Sequence, residues 1–214
     1  MQTVWIARHA NRQDFADPNW ADTADRPHDP GLSTDGVEQA QQLARRVNDL
    51  DVDRIVASPF LRTVETAHYA AEAADEPVFI EPGLGEWRND DWFNAPPSTL
   101  SFPALARRFD RLSPHHTPCR TPDYPESKHE ALGRLGATGQ CLTDTFPEDT
   151  LLLVGHGITV QGILHGLVRS DLPNPGCPLA SLTQVVRQED GWTLRIRNDT
   201  RHLENGARAS RRLA

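Results

Sequence analysis

Four short stretches of this chain bring together side chains suited to chemistry on an anion. Arg8-His9, with Arg12 close behind, follows directly on the apolar run Val4–Ala7. ASPFLRTVETA, Ala57–Ala67, places Arg62 in the first turn of an expected helix. LLLVGHGITV, Leu151–Val160, sets His156 between Gly155 and Gly157. EPGLGEW, Glu81–Trp87, puts Glu86 next to an indole. An imidazole can attack phosphorus, and guanidinium forks match phosphate oxygens. A helix N-terminus favours an anion through its unpaired N–H groups. A carboxyl group beside apolar rings tends to hold its proton longer and can serve as an acid. Each stretch alone also has an ordinary reading. A strand-end His and Arg can pair with carboxylates, Arg62 with Glu65, and Glu86 can be a solvated loop residue. Two histidines at the ends of two buried strands are harder to dismiss.

These side chains need elements to position them. Strands are expected at Thr3–Ala7, Arg54–Ala57, Val78–Ile80, Thr150–Val154, Leu182–Arg187 and Trp192–Arg197. The first four are continuous apolar runs, as in strands covered on both faces. The last two flank Gln188-Glu189-Asp190-Gly191, a hairpin signal. One helix follows Ser33 as its cap, with Val37, Ala40, Ala44 and Val47 on one face. A second has Ser58 as N-cap and Pro59 at its first position. A third runs from about Glu126 to Thr145, weakened by Gly133, Gly136 and Gly139. A fourth follows Gly157, through Ile158 to Val168. Alternating strands and helices imply a three-layer α/β/α fold, a mostly parallel sheet of about six strands with helices on both faces.

Two segments break the alternation. Asp14–Gly31, rich in Asp and Pro, reads as a long loop. Glu86–Pro125 carries seven prolines and several aromatics, and reads as a lid-like excursion over a sheet edge. Residues 1–200 are thus expected to form one domain with an insertion at about 86–125. The basic tail 201–214, with four arginines and one acid, is expected to fray.

At 214 residues the chain suits one sizeable core, and a net charge of −8 argues against general binding to nucleic acid or anionic membranes. Any anion must therefore be held by a local cluster of cations. No stretch approaches the ~18 apolar residues of a membrane span, and a secretory leader pattern is missing, so a cytoplasmic location is expected. The cysteines Cys119, Cys141 and Cys177 are scattered and odd in number, which implies no disulfide framework. His115, His116 and Cys119 lack a second ligand pair at zinc-like spacing.

The motifs Arg8-His9, SPFLRTVETA, Glu86-Trp87 and Gly155-His156-Gly157, in this order, resemble the histidine phosphatase superfamily with its phosphoglycerate mutase-like fold. Arg12, the Asp/Pro-rich loop, EPGLGEW and Tyr124–Ser127 (YPES) look most like the phosphatase domain of the TULA/Sts proteins and their microbial relatives. The resemblance implies a metal-independent, cofactor-free phosphomonoesterase in which His9 becomes phosphohistidine and Glu86 is the proton donor. Arg8, Arg62 and His156 would then bind the phosphoryl oxygens, with Arg12 and Gly157 also lining the substrate pocket. The partner implied is a small-molecule phosphate monoester or a phosphotyrosyl substrate; a homodimer is possible and unreadable. Mutase activity and a non-catalytic phosphate- or phosphoprotein-binding module remain as alternatives. The departure is Ala10, where the family usually has glycine. A Cβ there is harmless if φ is negative and costs about 1 kcal/mol if it is positive.

Overall fold

The structure, a computed structural model, describes residues 1–168 and 176–204. In chain order its elements are β1 (Thr3–Arg8), α1 (Gln13–Ala16), α2 (Trp20–Thr23), α3 (Thr34–Val47), β2 (Arg54–Ala57) and α4 (Leu61–Ala74). Next come β3 (Val78–Ile80), a single 3₁₀ turn (Pro82–Leu84), α5 (Phe102–Ala106) and α6 (Lys128–Thr145). β4 (Leu151–Gly155), α7 (Gly157–Val168), β5 (Leu182–Gln188) and β6 (Gly191–Asp199) complete the order. All six expected strands form, in one sheet ordered β3-β2-β4-β1-β5-β6. The first four run parallel; β5 is antiparallel to β1 and β6 antiparallel to β5.

Alternating side chains explain the three layers. Trp5, Ala7, Leu152 and Val154 face one side, packed with Leu43 and Val47 of α3 and Ala67, Ala70 and Ala71 of α4. Val4, Ile6, Leu151 and Leu153 face the other, against Leu142 of α6 and Val160, Ile163 and Leu167 of α7. Strands buried on both sides cannot alternate polar with apolar, which is why they read as unbroken apolar runs. The glycines that weaken α6 as an isolated helix have a use in the packed one. A Cβ on Gly166 would lie 2.4 Å from the Cα of Gly136, so α6 and α7 approach closely only because both positions lack one.

Parallel pairing carries the chemistry to one place. The first residues after β1, β2, β3 and β4 are His9, Ser58, Glu81 and His156. Strand-to-strand bonds continue at these points: the His9 amide donates to Gly155 O (2.9 Å), that of Ser58 to Val154 O (3.0 Å) and that of Glu81 to Ala57 O (2.9 Å). A row of residues therefore stands along the carboxyl edge of the sheet, where open α/β folds take their ligands.

Four expectations need correction. Ser58 does not cap α4. The helix starts three residues later, its N-cap Phe60 offers no side-chain bond, and the Leu61 amide donates instead to Asp29 Oδ1 at 2.7 Å. A carboxylate from the distant loop thus does the capping, leaving Ser58 for another partner. The loop at 14–31 is not structureless: it contains α1 and α2 and is stapled at its base by Gln13 N to Gly31 O, 3.0 Å. Cys119 and Cys141 form a disulfide with Cα atoms 6.1 Å apart, and Cys177 is a free thiol. The first half of the bridge comes from the excursion and the second from α6, so the pairing depends on how the excursion folds back. Finally, the tail does not fray from its first residue. Leu203 is buried beside Ala10, Leu32, Ala40 and Ala180, and Glu204 N donates to Gln42 Oε1 at 3.0 Å; residues 205–214 lie outside the described ones.

The excursion itself crosses the β3 edge. Val78 N donates to Arg111 O and Ser113 N to Val78 O, each at 2.9 Å, so the edge is blunted by backbone pairing. Behind it Glu81, fully buried, accepts from Gly83 N (2.7 Å), Cys119 N (2.7 Å) and Arg120 N (3.3 Å) and contacts His116 Nε2 (2.9 Å). The His116 ring thus meets Glu81, while the Cys119 sulfur is bound to Cys141. No described helix is long and apolar enough to cross a membrane. Because Asp29 caps α4, Asp29→Ala should lower stability by about 1–2 kcal/mol, read as a shift in the urea midpoint. An unchanged midpoint would remove the capping role.

Candidate active site

Above the carboxyl edge lies a cavity of about 440 Å³. Its wall contains Arg8, Arg12, Arg62, Glu86 and Gly157, together with Asp14 and a rim of Phe15, Trp87, Trp92 and Phe93. Five of the seven sequence-predicted site residues therefore line one space. The other two, His9 and His156, are 1% and 0% exposed, and their rings stand edge to face with centroids 5.4 Å apart. His156 joins them to the wall: its Nδ1 is 3.3 Å from Arg62 Nη2 and 3.4 Å from Glu86 Oε2.

Local structure fixes both imidazoles. His9 Nδ1 lies 2.7 Å from the carbonyl of Ala10. A carbonyl only accepts, so the proton sits on Nδ1 and Nε2 keeps its lone pair. The Ala10 amide in turn donates to Thr66 Oγ1 (3.1 Å), and the Ala10 side chain is buried. Ala10 is not among the described residues with positive φ, so its methyl group creates no backbone strain. It packs in the small cluster with Leu32, Ala40, Ala180 and Leu203.

His156 is held from three sides. It precedes the first residue of α7, and its amide donates to Thr159 Oγ1 at 2.9 Å, which satisfies the helix start. Thr159 passes its own proton to Leu84 O at 3.0 Å, tying α7 to the turn before Glu86. Its Nε2 lies 2.9 Å from Ser58 Oγ. With Nδ1 accepting from Arg62, the ring proton is on Nε2 and goes to that hydroxyl. Ser58 thus orients a histidine, a role its capping position concealed.

Electrostatics follow from burial. Desolvation pushes the His9 pKa well below its ordinary value, reinforced by Arg62, Arg8 and Arg12. Desolvation does the same to His156, with Arg62 the next cause. Both rings are therefore neutral at pH 7. Arg62 is 2% exposed, and burial followed by Arg12 lowers its pKa to about 10, which leaves it charged. Its Nη2 is 3.7 Å from Glu86 Oε2, and its side chain lies over the Phe60 ring at 4.5 Å. Among the described residues, its Nε and Nη1 have no hydrogen-bond partner. Buried N–H groups of a charged fork are costly when unpaired.

The other arginines are held by their surroundings. Arg8 Nη1 donates to Cys177 O. Arg12 forms a two-point pair with Asp14, its Nε 2.7 Å from Oδ1 and its Nη2 on Oδ2, and stacks over Phe15 at 4.1 Å. Glu86 Oε1 accepts from the Trp87 amide at 3.1 Å. The loop bearing Glu86 is anchored by Arg134, which donates to Gly83 O (2.7 Å) and pairs with buried Glu126 (2.5 Å). The sequence does not single out Asp14, Asp29, Ser58 and Thr159 as site residues. Asp14 carries a faint signal, an acid two residues after a pocket arginine; the others depend on tertiary contacts. The ensemble joins an unprotonated ring nitrogen, a desolvated cation with spare donors and a nearby carboxylate. Such a set can hold a dianion and accept a phosphoryl group on nitrogen.

The chain belongs to the histidine phosphatase superfamily (branch 1), whose family model matches residues 4–200. Among curated relatives, the transcription factor tau 55 kDa subunit of Saccharomyces cerevisiae is 32% identical over 117 residues. That match covers 51% of this chain and 26% of the yeast protein, so the chain spans only about a quarter of that relative's length. The probable phosphoglycerate mutase GpmB of Cronobacter sakazakii is 28% identical over 95% of this chain and 96% of its own. Among solved structures, ecdysone phosphate phosphatase from Bombix mori superposes with TM-score 0.75 at 20% identity, covering 94% of each chain. The mycobacterial glucosyl-3-phosphoglycerate phosphatase superposes with TM-score 0.68 at 21% identity, covering 94% of this chain and 100% of its own. These superpositions establish the phosphoglycerate mutase-like α/β fold.

The depressed imidazoles have a thermodynamic consequence. As pH falls through 6.5 the unfolded chain protonates both histidines and the folded one does not. Stability is then full above that value and declines below it. Thermal unfolding between about pH 7.5 and 5.5 should show this decline, and it should flatten in His9→Asn. An equal slope in the variant would contradict the buried, neutral state of His9.

Proposed function

We propose that the protein is a metal-independent phosphatase that hydrolyses phosphate monoesters through a phosphohistidine on His9. The observation that carries this reading is the bond from His9 Nδ1 to Ala10 O, which leaves Nε2 as a lone-pair nucleophile beside buried Arg62. Arg8 and Arg62 bind the phosphoryl oxygens, and His156 joins them once Arg62 turns from it to the ligand and the ring proton shifts to Nδ1, with Ser58 Oγ then donating to Nε2. The spare Nε and Nη1 donors of Arg62 receive the charge that spreads as the ester bond lengthens. Glu86, 3.7 Å from Arg62, gives its proton to the departing oxygen and then draws one from the water that attacks the phosphohistidine. Gly157 lies beside Arg8, where a Cβ would make only an ordinary contact, 3.9 Å from Nε. The excursion at 86–125 covers the site as a lid.

A second reading, transfer of the phosphoryl group back to a phosphorylated sugar acid, is favoured by the relatives named probable phosphoglycerate mutases. It predicts isomerisation of a phosphoglycerate faster than its hydrolysis.

Turnover of p-nitrophenyl phosphate should persist in EDTA and fall at least about a thousandfold in His9→Ala, with the fold intact by circular dichroism. Activity retained in that variant would remove the nucleophile. Glu86→Gln should slow alkyl phosphates more than p-nitrophenyl phosphate, because a poor leaving group needs the proton most; equal slowing would argue against the acid role.

A further inference from the structure

The cavity wall contains three arginines, and they are not equivalent. On the phosphatase reading, on which this inference rests, Arg8 and Arg62 belong to the phosphoryl group. Arg12 is the cation left for whatever the substrate carries beyond it. Its fork already has a tenant: Asp14 accepts from both Nε and Nη2, and both side chains are only about a fifth exposed. The opposite face of the guanidinium lies on Phe15.

Backbone geometry holds the pair in place. Arg12 forms an isolated antiparallel bridge with Leu32 and is the N-cap residue of α1, so Asp14 follows in the first turn. Across the cavity, Trp87 and Trp92 stack edge to face at 5.3 Å, and Phe93 meets His28 in the same way at 5.0 Å. Beyond the phosphoryl site a substrate therefore meets aromatic rings and one carboxylate whose arginine is already matched.

We infer that Asp14 is a specificity-determining residue: by occupying Arg12 it rejects phosphate esters whose alcohol part carries a second anionic group and favours uncharged, apolar alcohols. A carboxylate on the substrate would have to displace Asp14 from a two-point pair or lie beside it unmatched. Either costs affinity, whereas an uncharged group loses nothing. The same contact opposes the mutase reading, since a phosphoglycerate brings a carboxylate with it.

Two phosphonates that cannot be hydrolysed isolate the effect: propylphosphonate and carboxyethylphosphonate, which differ by a methyl against a carboxylate. Calorimetry should show the wild type binding propylphosphonate more tightly. In Asp14→Asn the gap should narrow about tenfold, the expected effect of removing one charge about 6 Å from another at intermediate screening. Added salt should narrow the wild-type gap too, which a purely structural role for Asp14 would not produce. An unchanged ratio in Asp14→Asn, an equal loss of both ligands, or no binding of either by the wild type would overturn the inference. The phosphatase reading fails separately, if p-nitrophenyl phosphate turnover is absent or independent of His9.

Discussion

A charged guanidinium held almost out of water is the constraint around which this molecule is arranged. Arg62 is 2% exposed, yet its pKa of about 10 keeps it cationic. Its direct neighbours offset only part of that cost: a neutral ring nitrogen at 3.3 Å and a carboxylate oxygen at 3.7 Å. Two of its nitrogens remain unpartnered among the described residues. A folded protein tolerates this only where the surroundings over-determine the position. They do: α4 begins one residue earlier on the Asp29 cap, Thr63 Oγ1 bonds back to Ser58 O (2.8 Å), and Phe60 lies under the guanidinium. Burial keeps His9 and His156 from protonating, and the same cation is the next cause for both. Desolvation and this charge thus act in one direction along the edge.

Most of this arrangement was legible in the sequence, for a reason visible in the sheet. Strands covered on both faces must be apolar throughout, so the residue that ends such a run marks where the chain emerges. His9 and His156 were found in that way, and Arg62 because it opens a helix behind such a strand. Glu86 was found by its aromatic neighbour. What escaped depends on tertiary partners. Ser58 has the look of a cap because it precedes a proline and a helix, but the Leu61 amide donates to Asp29, a carboxylate 32 residues earlier in the chain, which frees the hydroxyl for His156. Cys119 meets Cys141 of α6 where the excursion folds back, its own amide and that of Arg120 held by buried Glu81. No spacing rule encodes that.

Ala10 shows how backbone context decides the meaning of a departure from a family pattern. Its side chain points into an apolar cluster that includes Leu203. Its carbonyl orients His9 and its amide is held by Thr66. The two backbone bonds use atoms that glycine also has, and only the packing depends on the methyl group. The substitution therefore leaves the imidazole's hydrogen bond untouched and adds buried apolar contact where β1 leaves the sheet.

The charge balance of the wall explains how an acidic protein can host an anion. Arg8, Arg12 and Arg62 outnumber the carboxyl groups of Asp14 and Glu86 there, so the wall is locally cationic although the chain as a whole is acidic. Burial makes these pairs stronger than surface ones, and each has a different standing. Asp14 grips Arg12 at two points from the same short segment, a contact an incoming ligand gains little by breaking. Glu86 merely leans on Arg62 at 3.7 Å from another loop. On the proposed function, a phosphoryl group that takes Arg62 displaces the weaker partner and leaves Glu86 free for the leaving oxygen. The strong pair shapes what can bind, and the weak pair is the one that binding rearranges.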